Sequence, residues 1–457
     1  MKIVILGAGQ VGSSVAESLV SERNDITVVD VDTGRLKGLQ DRLDLRTVAG
    51  SASHPSVLVD AGIEDADMVI AVTQSDETNL VACKLAQQLF NVPTRIARVR
   101  ATDFLDNERI FGPECFGVDL AICPEQVLTD YIVKLVQFPE ALQVLEFADG
   151  KVSLVAVRAF QGGPLVGHQL QDIRKHIPGV DTRVAAIFRG DRPIVPEGGT
   201  LVEAEDEVFC LAATRHIRQV MRELRRMDKP VRRVMIAGGG NIGLRLAHAL
   251  ESNYIVKIIE YNKRRCEVLS GQLGGALVLQ GDVTDESLLE SENVDEMDVF
   301  IAVTNDDENN IMSCLLAKRM GARRVIALIN RRSYVDLLQA GQIDIAISPA
   351  QATIGTLLAH VRRGDVAQVH ALRRGAAEAL EAVVHGDAAS SPLVGRKIED
   401  IDLPKGTTIA AIVRGDEVVM AHHDTVIQAE DHVIIFVTNK KMVPKVEKLF
   451  QVSVGFL

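Results

Sequence analysis

The sequence predicts an α/β protein built from two tandem units, each a Rossmann-like, doubly wound parallel sheet followed by a small α+β C-terminal lobe. A glycine-spaced hexapeptide, GAGQVG at 7–12, returns as GGGNIG at 238–243. The segment AVTQSDETN at 71–79 returns at the same offset as AVTNDDENN at 302–310, with six of nine residues identical. After each hexapeptide, short apolar strands alternate with helix-like stretches, which is typical of parallel α/β sheets.

A second, different repeat follows each of these blocks. Its motifs are PLVG at 164–167 and 392–395, RGD at 189–191 and 414–416, and EAEDEVFCL at 203–211, which resembles QAEDHVIIF at 428–436. In the first copy, KVSLVAVRAF, TRVAAIFRG and DEVFCLAA predict strands, and TRHIRQVMRELRRM predicts an amphipathic helix that closes the lobe. We therefore expect four parts: a nucleotide-binding N-terminal lobe at 1–135, a C-terminal lobe at 140–228, a second N-terminal lobe at 232–360 and a second C-terminal lobe at 367–457.

The composition restricts the function. The formal net charge of −12 argues against binding to nucleic acid or directly to an anionic membrane. No apolar run reaches the roughly 18 residues that span a bilayer, and the chain enters a strand without a signal-peptide pattern. We expect a cytoplasmic protein that meets a membrane only through a protein partner. The six cysteines are scattered, so neither a metal site nor a disulfide framework is expected.

The first hexapeptide lies between a predicted strand and a predicted helix, the setting in which G-x-G-x-x-G indicates a dinucleotide loop. Gly7 permits the tight turn, Gly9 lets a phosphate approach the backbone, and Gly12 lets the helix pack against the strand. The next strand ends in Asp30, where a carboxylate can accept ribose hydroxyls; its counterpart is Glu260. The loop candidates are Gly7, Ala8, Gly9, Gln10, Val11 and Gly12, and Gly238, Gly239, Gly240, Asn241, Ile242 and Gly243.

The motif leaves the ligand open among NAD(H), ATP, ADP and similar adenosine nucleotides. An acid at the end of the second strand disfavours a 2′-phosphate, so NADP(H) is not expected. Arg35 and the run Lys263, Arg264 and Arg265 are interpreted as solvated helix starts.

Residues after the fourth strand of each sheet are expected to reach the same crevice. Thr73 and Gln74, and Thr304 and Asn305, contact the nucleotide or only cap the following helix. Two further residues, Arg98 and Arg100, are two apart on a predicted strand, so they share a face and could pair with outer phosphates. At the common offset, Arg331 stands opposite Arg100 and Ile329 opposite Arg98, which predicts unequal sites. Asp76 and Glu77 recur as Asp307 and Glu308, and helix capping explains them more simply than a cation site.

No catalytic constellation accompanies the loops. The histidines of the first half have no histidine counterparts in the second, and no Ser-His-Asp order, H-E-x-x-H motif or Walker A lysine is present. The sequence therefore predicts nucleotide binding without catalysis.

The A-B-A′-B′ order, the two glycine loops, AVTxxDExN and PLVG…RGD…AED resemble the family of cytoplasmic nucleotide-binding subunits of bacterial Trk potassium-uptake systems. In that family each half is an RCK/KTN domain (regulator of potassium conductance). The resemblance covers essentially the whole chain. It implies a peripheral regulator, not an enzyme, that assembles as a homotetrameric gating ring on a membrane potassium-transporting subunit of the TrkH or TrkG type.

Two other classes of function stay open on the residues alone. One is an NAD(H)-dependent redox enzyme or redox sensor, which would oxidise bound NADH with an acceptor. The other is a transcriptional regulator with Rossmann domains, which the acidic charge and the lack of a helix-turn-helix pattern disfavour.

Overall fold

The structure is a computed structural model of the chain. It describes residues 1–20, 24–190, 192–194, 196–225, 229–331, 334, 342–361, 366–372 and 377–452, without the side chains of 351–353 and 440. Of the two aspartates in the repeated RGD motif, Asp191 lies outside the described residues and Asp416 lies within them.

The first lobe contains a six-stranded parallel sheet in the order β3-β2-β1-β4-β5-β6. Its strands are β1 (Lys2–Leu6), β2 (Asp25–Asp30), β3 (Arg46–Ala49), β4 (Met68–Ala71), β5 (Thr94–Arg98) and β6 (Leu120–Ile122). Its helices are α1 (Gln10–Val20), α2 (Thr33–Gln40), α3 (Pro55–Asp60), α4 (Asp76–Gln88), α5 (Thr102–Leu105) and α6 (Pro124–Gln137). The inner strands β1 and β4 are buried and apolar because helices cover both faces of such a sheet. The strand order reverses between β1 and β4, so the loop after β1 lies at the switch point where these sheets bind ligands.

The first C-terminal lobe is an antiparallel sheet in the order β10-β9-β11-β8-β7. Its strands are β7 (Ala141–Phe147), β8 (Val152–Arg158), β9 (Thr182–Arg189), β10 (Arg192–Ile194) and β11 (Glu207–Ala213), and its helices are α7 (Ile173–His176) and α8 (Ile217–Leu224). The three predicted strands are confirmed as β8, β9 and β11, and the predicted helix as α8. Strand β7 is not predicted from the sequence, because Gln143 and Glu146 interrupt its apolar pattern.

The second half repeats both lobes within the described residues. Its parallel sheet has the order β14-β13-β12-β15-β16-β17, and its antiparallel sheet the order β18-β19-β22-β20-β21. The parallel strands are β12 (Arg233–Ala237), β13 (Ile255–Glu260), β14 (Leu277–Gln280), β15 (Val299–Ala302), β16 (Val325–Leu328) and β17 (Ile345–Ile347). The antiparallel strands are β18 (Val366–Leu372), β19 (Ala377–Val383), β20 (Thr407–Arg414), β21 (Glu417–Met420) and β22 (His432–Val437). The helices are α9 (Asn241–Leu250), α10 (Lys263–Gln272), α11 (Glu286–Ser291), α12 (Asp307–Met320), α13 (Pro349–Val361) and α14 (Val443–Leu449).

Three hydrophobic cores contain residues from both halves. Helix α6 leaves the first sheet and packs on α9 of the second half, so that Leu128 and Ile132 are buried in one core with Leu246. Helix α13 leaves the second sheet and packs on α1, where Leu357 lies in one core with Leu19. The two antiparallel sheets bury a third common core, which includes Phe147, Phe209 and Phe436. Helices α6 and α13 each pack on the half to which they do not belong by sequence. The boundaries of the four predicted lobes therefore remain proposals.

Candidate functional site

The first glycine loop joins β1 to α1 in the conformation that the motif requires. Gly7 has a φ of 113°, which L-residues with a side chain rarely adopt. A Cβ on Gly12 would lie 1.8 Å from the carbonyl oxygen of Gly7, so only glycine lets helix and strand close. By contrast, a Cβ on Gly9 would meet only the tip of Arg35, 4.0 Å away. The backbone at Gly9 is therefore open toward the crevice, as a phosphate needs.

The second loop, between β12 and α9, has the same geometry. Gly238 has a φ of 109°, and a Cβ on Gly243 would lie 1.9 Å from the carbonyl oxygen of Gly238. No atom lies within 4 Å of a Cβ built on Gly240, the counterpart of Gly9. A Cβ on Gly239 would lie 2.5 Å from Leu269, and this explains the additional glycine of the second copy.

Each acid at the end of the second strand holds its own glycine loop. Asp30 accepts hydrogen bonds from the backbone N–H of Ala8 at 2.6 Å and of Asp32 at 2.8 Å. Glu260 accepts from the backbone N–H of Gly239 at 2.9 Å and of Asn262 at 2.7 Å. A carboxylate has about four acceptor positions, so each acid keeps capacity for a ribose hydroxyl beside the loop.

Side-chain hydrogen bonds connect the segments that follow β4 and β15 to the ends of the neighbouring strands. The Thr73 hydroxyl donates to Oδ1 of Asn79 at 2.7 Å, and Nδ2 of Asn79 donates to the carbonyl of Arg98 at 2.9 Å. The second half repeats both bonds through Thr304, Asn310 and Leu328. The capping role belongs to Ser75 and Asp306, whose side chains accept from the first turns of α4 and α12.

The repeated carboxylates tie the strand ends to these helices. Asp76 accepts from the backbone N–H of Arg100 and of Ala101, both at 2.8 Å. Asp307 accepts from the N–H of Asn330 at 2.9 Å and of Arg331 at 2.8 Å. Asp76 and Asp307 therefore do not cap the helices. They anchor the loop that follows the neighbouring strand. In the described part of the chain, no group of three or more His, Cys, Asp or Glu side chains is placed to hold a metal ion.

The predicted pairing of the arginines between the halves is wrong by one residue. Because Asn79 bonds to Arg98 where Asn310 bonds to Leu328, the counterpart of Arg98 is Leu328, not Ile329. By the same argument Asn330, not Arg331, occupies the place of Arg100. The connection after α4 is one residue longer: the N–H of Val92 bonds to Ala86, whereas that of Ala322 bonds to Ala317. A constant offset cannot detect that extra residue.

Arg98 and Arg100 do not share a strand face as predicted. Strand β5 ends at Arg98, whose guanidinium lies in the crevice and pairs with Glu125 at 2.8 Å. Arg100 lies beyond the strand and turns to Asp76 and the carbonyl of Gln74. Arg331 pairs with Glu308 at 2.7 Å outside the crevice. Of the three predicted arginines, only Arg98 is placed for a ligand.

Both loops open into a single cavity of about 1650 Å³ between the halves. The predicted residues that line it are Gly7, Ala8, Gly9, Gln10, Val11, Asp30, Thr73, Gln74, Arg98, Gly238, Gly240, Asn241, Ile242, Glu260, Thr304 and Asn305. The predicted residues outside the lining are Gly12, Arg100, Gly239, Gly243 and Arg331. Gly12, Gly239 and Gly243 act within the loop packing described above.

The cavity wall also contains residues that the sequence motifs do not assign to the site. Val31 and Tyr261 follow the two acids and are 74% and 77% exposed, which is unusual for apolar side chains of this size. Arg35 lines the wall, and Nε of Arg265 donates to the carbonyl of Gly239 at 2.6 Å. The interpretation as a solvated helix start is thus wrong for Arg265, which is half-buried, whereas Arg35 is exposed at the start of α2 and also lines the cavity. Each stands five residues after an acid, a repeated spacing that could have identified them.

Comparison with known proteins accounts for both repeats. The TrkA-N domain family matches residues 3–124 and 234–349, and the TrkA-C domain family matches 154–225 and 387–451. The Trk system potassium uptake protein TrkA of Halomonas elongata is 60% identical over 456 residues, which is 100% of both chains. This chain belongs to the TrkA family. The TrkA proteins of Vibrio alginolyticus and Haemophilus influenzae are 59% and 49% identical, again over 100% of both chains.

Solved structures share the fold of this TrkA-family chain. The GsuK RCK domain matches with a TM-score of 0.62 and 17% identity, covering 98% of this chain and 94% of that one. The GsuK channel matches with a TM-score of 0.63 and 18% identity, covering 97% and 78%. The two halves thus have the fold of tandem RCK units. No helix in the described residues has the length and apolar character needed to cross a membrane.

Proposed function

We propose that this chain is the nucleotide-binding regulatory subunit of a Trk potassium-uptake system. It binds NAD(H) and ATP or ADP, and thereby controls transport through a membrane potassium-transporting subunit of the TrkH or TrkG type. The observation that carries the proposal is the pairing of two glycine loops, each with its acid, across one cavity between the halves. A ligand in that cavity contacts elements whose relative position it can change.

The nucleotide binds in the orientation that the loop geometry favours. The phosphates next to the adenosine lie over Gly9 at the start of α1, where free N–H groups and the helix dipole attract anions. The ribose contacts Asp30, and the adenine lies against the exposed Val31. Gly240, Glu260 and Tyr261 take the same roles in the second half. In support, GsuK structures of this fold are described as bound to NAD and to ADP.

We infer regulation and not catalysis. Among the described residues that line the cavity there is no His, the side chain used most often for general acid–base catalysis, and no Cys or Lys. The relatives are named for potassium uptake. The alternative is an NAD(H)-dependent redox enzyme or redox sensor. Consumption of NADH by the purified chain with any of a panel of electron acceptors would favour it.

Control of transport requires a nucleotide to prefer one arrangement of the halves over another. Since coupling is limited by that difference in affinity, a nucleotide bound equally by all arrangements has no effect. The crossing helices α6 and α13 transmit a change in one half to the other, because each packs on the half that it does not come from. We propose that copies of the chain form a homo-oligomeric ring, a tetramer, on the cytoplasmic face of the partner.

Recruitment to membranes tests the partner. With a net charge of −12, the chain is expected to stay in the supernatant with protein-free anionic vesicles at physiological salt. With vesicles that contain the potassium-transporting subunit it is expected to sediment, and nucleotide addition is expected to alter potassium flux. Vesicles containing an unrelated membrane protein serve as the control. Equal sedimentation with all three vesicles would contradict the proposed partner.

A further inference from the structure

The ion pair between Arg98 and Glu125 lies inside the cavity. Nη2 of Arg98 is 2.8 Å from Oε1 of Glu125, and the two side chains are only 17% and 14% exposed. The other carboxylate oxygen of Glu125 meets Sγ of Cys123 at 3.8 Å. Nε of Arg98 is buried without a hydrogen-bond partner. The guanidinium is therefore only partly satisfied by Glu125, and an additional acceptor would improve its environment.

Glu125 also stands at the junction between the halves. It is the second residue of α6, where a negative charge is favoured by the helix dipole. The next residue, Gln126, accepts a hydrogen bond from Nη1 of Arg245 at 2.7 Å, and Nη2 of Arg245 donates to the carbonyl of Arg100 at 3.0 Å. Arg245 belongs to α9, the helix that follows the second glycine loop.

The charged residues Arg98, Glu125 and Arg245 of the first site have no charged counterparts at the second site. The repeat places Leu328 at the position of Arg98 and Ala350 at the position of Glu125, and Ser14 of α1 at the position of Arg245. Three charged side chains are thus replaced by uncharged ones around the second loop. The asymmetry is specific to this part of the cavity, since the loops and acids themselves are repeated.

We propose that Glu125 is a specificity-determining residue that competes with the ligand for Arg98 in the first site. The inference rests on the proposed nucleotide function. A ligand with an outer phosphate near Arg98 competes with the Glu125 carboxylate, because two anions that share one guanidinium in a shielded cavity repel each other. A dinucleotide whose phosphates stay on the glycine loop leaves the ion pair intact. Glu125 therefore disfavours ATP relative to NADH.

The test is calorimetric titration of the full chain with ATP and with NADH, in a Gly240→Ala background that blocks the second loop. Glu125→Gln retains an acceptor for Arg98 but removes the charge. We expect it to strengthen ATP binding about ten-fold and to change NADH binding by less than about two-fold. Equal changes for the two ligands, or none, would overturn the inference.

Two further variants separate this role from general electrostatics. Glu17→Gln removes a carboxylate from the same cavity wall, where Glu17 pairs with Arg42 at 2.9 Å, and is expected not to favour ATP over NADH. Arg98→Met combined with Glu125→Gln is expected to show no gain for ATP over Arg98→Met alone. If Glu125→Gln does not fold, Glu125→Asp, with a carboxylate one methylene shorter, is expected to give a smaller gain of the same sign. Should the parent bind neither nucleotide, the proposed function itself fails.

Discussion

The repeated RGD and AED segments owe their recurrence to a buried ion pair. Asp206 and Asp431 are fully buried, and each accepts two hydrogen bonds from one guanidinium, that of Arg189 or Arg414, at 2.8 to 3.0 Å. Each aspartate also accepts a backbone N–H within its own turn. A bidentate pair with an additional N–H satisfies a buried carboxylate, so the motif is structural.

Removing one member of this pair is expected to destabilise the lobe strongly. Arg189→Met leaves the fully buried Asp206 without its charged partner, and we expect the free energy of unfolding to fall by about 3–5 kcal/mol. Glu203→Ala is the matched control, because Glu203 pairs with the same arginine but is 57% exposed, and should cost less than about 1 kcal/mol. Chemical denaturation followed by circular dichroism measures both. Similar losses for the two variants would contradict the account of the motif.

At the scale of elements, β7 and β18 join the two antiparallel sheets through an aromatic contact. His370 on β18 meets Phe147 on β7 edge to face, with ring centroids 5.0 Å apart. Burial lowers the pKa of His370 to about 4, and the nearby Lys134 acts in the same direction. The imidazole is therefore neutral in the folded protein over the physiological range.

This contact predicts a loss of stability in mild acid. Below the ordinary pKa of 6.5 the unfolded chain takes up a proton that folded His370 does not accept until about pH 4. Stability from this residue is complete above pH 6.5 and falls as the pH decreases toward 4, by about 3 kcal/mol. We expect His370→Gln to flatten the dependence of the melting temperature on pH over this range, and the exposed His423→Gln to leave it unchanged. An unaltered profile for His370→Gln would contradict the assignment.

The elements show which features local sequence can predict. The two sheets, both glycine loops and Asp30 and Glu260 follow from motifs whose spacing is set by one strand, one turn and one helix. The contact between Arg98 and Glu125 joins residues 27 positions apart and depends on where α6 leaves the sheet. The mistaken match of Arg331 to Arg100 has a similar origin, since one extra residue in a connection changes every later pairing.

At the scale of the whole molecule, shared hydrophobic cores join the two halves. Helices α6 and α13 each complete the core of the other half, and the antiparallel sheets bury a common core. An isolated half at 1–228 would expose the apolar face that α13 covers. The sequence does not show which sheet α6 and α13 cover, and for this reason the shared cavity could not be predicted. Binding experiments therefore use the full chain.

The central claim is that nucleotides bind at the two glycine loops, and two alanine substitutions test it most directly. Gly9 and Gly240 have room for a methyl group in the protein without ligand, so Gly9→Ala and Gly240→Ala are expected to leave the melting temperature unchanged. The same methyl groups occupy the approach of the phosphates. Calorimetric titration with NADH is expected to show binding weakened at least ten-fold at one site in each single variant. In the double variant we expect it to be abolished. Parent-like NADH affinity in a correctly folded double variant would contradict the claim.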